Sequence, residues 1–266
     1  MQIEILGTVT VTVDGEQRRI GSHKVRALLA TLALDVGRAI SHGELADELW
    51  SGHRLGNSRN AMQAHATRLR KVVDGPDRRE SRLRAMRNGY LLDIPAESVD
   101  ANRFLDLAAR GAADVRADPE RAITALRAAL RLWRGPALLD AGDGLRCRGA
   151  AALFDERRLT AWEDLAAAWL VVGRERDAVA ELSQLVEQHP LRERFCELLM
   201  LALYRTGRQC EALELFQRNR RHLDTELGLE PSATLKRLHA DVLAQDPGLV
   251  LPSAIWWSQR ESLAAR

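Results

Sequence analysis

Apolar positions recur along the chain with two periods. Residues 3–6 (IEIL), 9–13 (VTVTV) and 18–20 (RRI) are short β-prone runs, with the turn dipeptide Asp14-Gly15 before the third. The period then becomes helical over residues 22–36, where Val25, Leu28, Leu29, Leu32 and Val36 share a face and Gly37 suits the C-terminal cap. In SHGELADELW, Ser41 and Glu44 have capping-box spacing, and Leu45 and Leu49 supply the buried side. After the polar loop SGHRLG, residues 57–73 form a third helix capped by Asn57 or Ser58, with Met62, Ala66, Leu69 and Val73 on one face. Asp74-Gly75-Pro76 stops it and DRRESR is a charged connection. Residues 83–87 and 90–93 then read as strands around the tight-turn dipeptide Asn88-Gly89. Strands, three helices and a terminal hairpin predict a winged helix, whose third helix enters the major groove and whose hairpin reaches the adjacent backbone or minor groove.

Residues 94–98, with Pro95, read as a short linker, and from there on the period is helical. Asp100 is placed as the cap of a helix through Phe104 and Leu107. Asp118-Pro119 opens another, with Ala122, Leu126, Ala129, Leu130 and Trp133 inward. Gly135-Pro136 breaks it, and GPALLDAGDGL is the longest irregular stretch, expected as a loop packed over the helices. Beyond it lies an internal repeat of 34 residues. Gly173 recurs as Gly207, Ala178 as Ala212, Ala168 as Ala202, Leu165 as Leu199, Leu170 as Tyr204 and Leu182 as Phe216. Glycine between two helices and alanine early in the second make the tetratricopeptide pattern. One such pair cannot bury its own face, so ATLKRLHADVLA and the earlier helices are expected to complete the stack. The fold class is therefore mainly α: an N-terminal winged helix-turn-helix (α+β) over residues 1–95, an all-α tetratricopeptide-like domain over 96–246, and a loosely attached tail, 247–266, holding Trp256-Trp257.

Charge sharpens this division. Residues 1–95 carry 15 basic and 11 acidic side chains, and the remainder 24 and 26, so the overall +2 conceals a positive first part. Within 52–90 the count is 10 against 3, a concentrated positive field that fits a polyanionic partner. Arginine supplies 36 of the 39 basic residues, a bias that reads first as a GC-rich coding genome. Cys147, Cys196 and Cys210 are too scattered for a metal site or a disulfide framework and read as buried reduced thiols. There is no apolar run of about eighteen residues, and MQIEILG has no secretory pattern. A cytoplasmic, nucleoid-associated protein with no membrane, metal or cofactor is expected.

On the third helix, Asn60, Ala64, Thr67 and Lys71 form the stripe opposite the apolar one, flanked by Gln63, Arg68 and Arg70. Arginine can chelate guanine, asparagine or glutamine adenine, and alanine can abut a thymine methyl, so this face suits a duplex major groove. For Arg70 the alternative is a surface ion pair with Asp74 at i+4. For His65 it is a packing role, since its helical angle turns it partly toward the core.

The chain resembles the Streptomyces antibiotic regulatory protein (SARP) family of transcriptional activators over about residues 1–246. The resemblance rests on KVRALLATLAL (24–34), SRNAMQAHATRLRKVV (58–73), RNGYLLD (87–93) and RAITALRAALRLWRGPAL (121–138). It rests further on YRTGRQCEALELFQ (204–217) and ELGLEPSATLKRLHADVLAQDP (226–247). It implies an OmpR/PhoB-type DNA-binding domain followed by a bacterial transcriptional activation domain of tetratricopeptide-like helices. It also implies binding to promoter direct repeats in double-stranded DNA, self-association on DNA and recruitment of RNA polymerase holoenzyme for antibiotic biosynthesis. Carried over residue by residue, Arg68, His65 and Ala64 are implied base readers. Asn60, Thr67, Arg70, Lys71, Arg87 and Asn88 are implied contacts to the phosphate backbone.

An enzyme is disfavoured: GxSxG, HExxH, a phosphate loop and a dinucleotide fingerprint are all missing, and the glycines of DAGDG lack a strand-to-helix context. A tetratricopeptide adaptor whose winged helix contacts protein is disfavoured by the charge in 52–90. A repressor on the same fold differs only in promoter output.

Overall fold

The computed structural model describes residues 1–50, 58–74, 81–252 and 255. They fall into two compact units, residues 1–109 with 128–160, and residues 110–127 with 161–266. The first holds an antiparallel sheet of β1 (Gln2–Glu4), β2 (Thr10–Val13) and β3 (Glu16–Arg18). Its second turn is Asp14-Gly15, with φ of 52° and 84°, which brings the third strand two residues earlier than expected and pairs Val13 with Glu16. Then come α1 (His23–Leu34), β4 (Ala39–Ser41), α2 (His42–Trp50), α3 (Ser58–Val73), β5 (Leu83–Met86) and β6 (Gly89–Leu92). Helix α1 ends at Leu34 rather than Val36, because the Asp35 N–H turns to the Leu32 carbonyl.

Strand β4 was not foreseen, and it explains Gly89. The sheet order is β4–β6–β5, with Ser41 opposite Gly89. A Cβ at Gly89 would stand 1.9 Å from the Ile40 carbonyl oxygen. The hairpin turn is Arg87-Asn88, not the expected Asn88-Gly89, and neither of those residues nor Gly89 has positive φ. Glycine is needed here for close strand approach rather than for turn geometry.

The expected linker is also tied down. Residues 96–98 form a 3₁₀ turn, buried Val99 bridges Ile3, and α4 begins at Asp100. Asp100 is 5% exposed and accepts from the N–H groups of Ile5 (2.8 Å) and Leu6 (3.1 Å), so it also holds the segment that leaves the first strand. The irregular stretch likewise runs beside the first sheet: Arg134 donates to the Leu6 carbonyl, Leu138 to Ile5 and Leu139 to Gly7. Its Asp140 accepts from Val9 N–H and pairs with Arg26 at 3.1 Å. Helices α4 (Asp100–Asp114), α5 (Pro119–Leu130) and α6 (Leu145–Val171) follow, each contributing residues to both units.

The second unit continues with α7 (Glu175–Gln188), α8 (Glu193–Arg205), α9 (Gln209–Leu227) and α10 (Ala233–Ala244). The repeat is realised in its bonds. Arg174 N–H donates to Trp169 and Arg208 N–H to Leu203, at a constant offset of 34, beside Gly173 (φ 75°) and Gly207 (φ 77°). Ala168, Ala178, Ala202 and Ala212 are all fully buried, which is what close helix pairing asks of them. The tail is less loose than expected: residues 247–250 form a 3₁₀ turn, and Leu249 and Ile255 are buried. Trp256-Trp257 lies outside the described residues, as do Asn57 and the predicted stop at Gly75-Pro76. Cys147 and Cys196 are buried but Cys210 is exposed, contrary to the expectation for all three, because it sits in the solvent-facing first turn of α9. Among the described residues, no helix is long and apolar enough to cross a membrane.

Candidate nucleic-acid interface

Helix α3 carries the candidate interface, and the packing of its back fixes which residues are presented. Met62, Ala66, Leu69 and Val73 are at most 1% exposed. Burying each large aliphatic side chain contributes about 1.5–3 kcal/mol, enough to seat a helix whose other face is polar. Asn60, Gln63, Ala64, Thr67, Arg68 and Lys71 are all exposed on that other face, joined by Arg59, which the sequence reading did not single out. Arg59 lies on the flank of the same stripe and could have been found from its helical angle. The Thr67 hydroxyl donates back to the Gln63 carbonyl at 2.9 Å.

Arg70 and His65 point differently from their neighbours. Arg70 Nε donates to the Leu83 carbonyl (3.2 Å), and its guanidinium lies 5.9 Å from the centre of the Tyr90 ring. Asp74, its suggested ion-pair partner, instead accepts from the Ser81 hydroxyl (2.6 Å) and Arg82 N–H (2.7 Å) at the start of the hairpin. Arg70 thus ties α3 to the wing. His65 is half-buried, with its ring centre 6.2 Å from that of Trp50 and its Nδ1 buried without a partner. Burial, then Arg68 and Lys24, push its pKa below the ordinary value of 6.5, so the imidazole is neutral at neutral pH.

The wing is β5–β6. Its tip presents Arg87 and Asn88, with Met86 46% exposed beside them, a residue sequence reasoning also missed. Arg84 pairs with Asp93 across the hairpin at 2.5 Å. The wing base rests on α2 through His42, whose ring meets Tyr90 edge-on at 5.3 Å. The capping box at the start of α2 forms as expected: Glu44 N–H donates to Ser41 Oγ (3.2 Å), and Ser41 N–H donates to the Glu44 carboxylate (3.0 Å).

Helix α2 carries a buried carboxylate that no motif announced. Glu48, 6% exposed, accepts from the first free N–H groups of α6, Arg146 (3.0 Å) and Cys147 (2.8 Å). Gly144 leaves it room, since a Cβ there would fall 2.1 Å from the carboxylate. The Arg146 side chain pairs with Asp35 and, at 3.1 Å, with Glu44. A helix N-terminus stabilises a buried anion, so Glu48 fixes α2 without needing solvent.

Two family models match the chain: "Transcriptional regulatory protein, C terminal" over residues 16–92 and "Bacterial transcriptional activator domain" over 99–243. The transcriptional regulator RedD of Streptomyces coelicolor is 55% identical over 96% of this chain and 74% of its own. The regulatory protein DnrI of Streptomyces peucetius is 34% identical over 94% of both. The chain belongs to the SARP family. A solved structure of Mycobacterium tuberculosis EmbR in complex with a low-affinity phosphopeptide superposes with a TM-score of 0.89, at 30% identity, over 99% of this chain and 70% of that one. This SARP chain is a DNA-binding transcriptional activator, and its exposed α3 face and wing lie within the regulatory match.

Proposed function

We propose that this SARP protein binds tandem direct repeats in a promoter as a head-to-tail pair and recruits RNA polymerase holoenzyme to genes of a secondary-metabolite pathway. Residues 1–95 act as the DNA-binding domain, 96–246 as the activation domain and 247–266 as a tail. Arg68, Ala64 and His65 read base edges. Asn60, Thr67, Arg70, Lys71, Arg87 and Asn88 contact the backbone, Arg70 while also holding Leu83. The observation that carries this reading is the exposed polar and cationic face of α3, set beside a wing and anchored by a fully buried apolar back. No covalent chemistry is needed, because activation by recruitment is a matter of contacts. The protein then acts in the cytoplasm, at the nucleoid, without a cofactor.

Footprinting on the promoters neighbouring the protein's own gene, with and without purified polymerase, tests it. Two protected repeats on one duplex face, extended by polymerase, are expected. Binding should fall steeply with salt, by about 0.9 log units per log salt for each phosphate contact. Protection that ignores sequence, or that excludes polymerase, speaks for a different role.

A further inference from the structure

Arg59 stands exposed in the first turn of α3, with no hydrogen-bond or ion-pair partner among the described residues. Other arginines around the wing are spent inside the fold. Arg70 holds the Leu83 carbonyl, Arg82 donates to the Val73 carbonyl, and Arg84 pairs with Asp93. Glu44, the acid in the first turn of α2, is taken up by Ser41 and Arg146.

Position on the helix says which way Arg59 looks. At about 100° per residue, Arg59, Gln63 and Arg70 fall within about 40° of one another, and about 90° from the stripe of Asn60, Ala64, Thr67 and Lys71. Arg70 shows what this flank faces: the hairpin, through Leu83 and the Tyr90 ring. At the N-terminal end of the same flank, Arg59 is close enough to His42 for its charge to help lower the imidazole pKa, after burial. His42 in turn meets Tyr90 edge-on and donates its main-chain N–H to the Asn88 carbonyl at 3.0 Å. The first turn of α3, the start of α2 and the wing tip thus converge around His42.

A helix lying in a major groove has base edges beneath it and a phosphate strand along each wall. A flank a quarter-turn from the outward stripe meets a wall rather than the floor. We propose that Arg59 is a further DNA contact, clamping a phosphate of the strand that passes between α3 and the wing, with Arg87 and Asn88 on the other side of that strand. The positive end of the α3 dipole favours the same anion. Such a contact fixes register on the duplex and carries no sequence information of its own. The inference rests on α3 and the wing being the DNA interface, and adds the residue that joins their two contacts into one grip.

The test uses the full chain and two duplexes, the promoter beside the protein's own gene and an unrelated sequence of equal length, titrated at several salt concentrations. Arg59→Gln should bind both more weakly and lower the slope of log affinity against log salt by about 0.9, so that its deficit to the parent is about 3.5-fold smaller at 200 mM than at 50 mM salt. Its preference for promoter over unrelated duplex should equal the parent's, whereas Arg68→Ala reduces that preference. Arg59→Lys should keep the parent's slope, since a phosphate asks for charge rather than a planar fork. Phosphate-ethylation interference should lose one position in Arg59→Gln, on the strand between the contacts of α3 and those of the wing. An unchanged slope or an unchanged interference pattern overturns the contact. A loss confined to the promoter duplex makes Arg59 a base reader and overturns the phosphate assignment. Failure of the underlying reading looks different: a parent chain that binds neither duplex removes the whole interface, Arg59 with it.

Discussion

Arg68 is exposed while the adjacent Leu69 is fully buried, and this contrast sets what substitution does at each. Arg68→Ala removes an exposed guanidinium without disturbing packing. It should cost about 1–3 kcal/mol of binding and relax preference at one base pair, measured by competition against single-site operator variants. A uniform loss over all sequences would make Arg68 a phosphate clamp instead. His65 is a different case, because its protonation costs fold stability. Its folded pKa lies below 6.5, so the unfolded chain takes up the proton more readily. The stability it contributes is complete above pH 6.5 and declines as the pH falls from there through the folded value. His42, lowered by burial and then by Arg59, acts in the same sense. Urea midpoints at pH 7.5 and 5.5 should show the acid-side loss, and His65→Phe should reduce it. An unchanged pH dependence in that variant would remove His65 from the account.

Between elements, what matters is buried charge placed by tertiary structure. Glu48 joins α2 to the start of α6 by two hydrogen bonds, and Glu48→Gln puts an amide NH₂ against one of those helix donors. The change should destabilise the first unit by about 1–3 kcal/mol. Chemical denaturation of the full chain checks this; a midpoint equal to the parent's would mean that water replaces the carboxylate. The same clasp shows where the sequence was legible and where it was not. The apolar face of α3, the capping box and the 34-residue repeat were legible because each is a local period or spacing. Strand β4, three residues long, has no period to read, and without it Gly89 was taken for a turn residue. Asp100 was read only as a helix cap and Glu48 was not singled out, since their partners lie 95 and 98 residues away in sequence. The exposed polar face of α3 was legible in outline, as was the turn of His65 toward the core, where it meets Trp50, but the Arg70 bond to Leu83 is supplied only by the folded hairpin.

Across the whole molecule, the charge is positive in residues 52–90, with 10 basic and 3 acidic side chains, and negative in the rest, with 29 and 34, which favours a polyanion as the partner of that segment. If two protomers bind direct repeats head-to-tail, their contact requires both α3 helices to enter the duplex on the same side, so repeat spacing must follow the DNA helical turn of about 10–11 bp. Inserting half a turn, about 5 bp, between the repeats rotates the second protomer to the opposite face and should abolish cooperative binding. Each single repeat keeps its own affinity. A full-turn insertion restores the alignment and should recover part of the cooperativity, limited by the reach of the contacting surfaces. Mobility-shift titrations on the three spacings separate these outcomes. Cooperativity indifferent to a half-turn insertion would mean that the protomers do not touch on DNA, and the activator region would then have to meet polymerase from independently bound monomers.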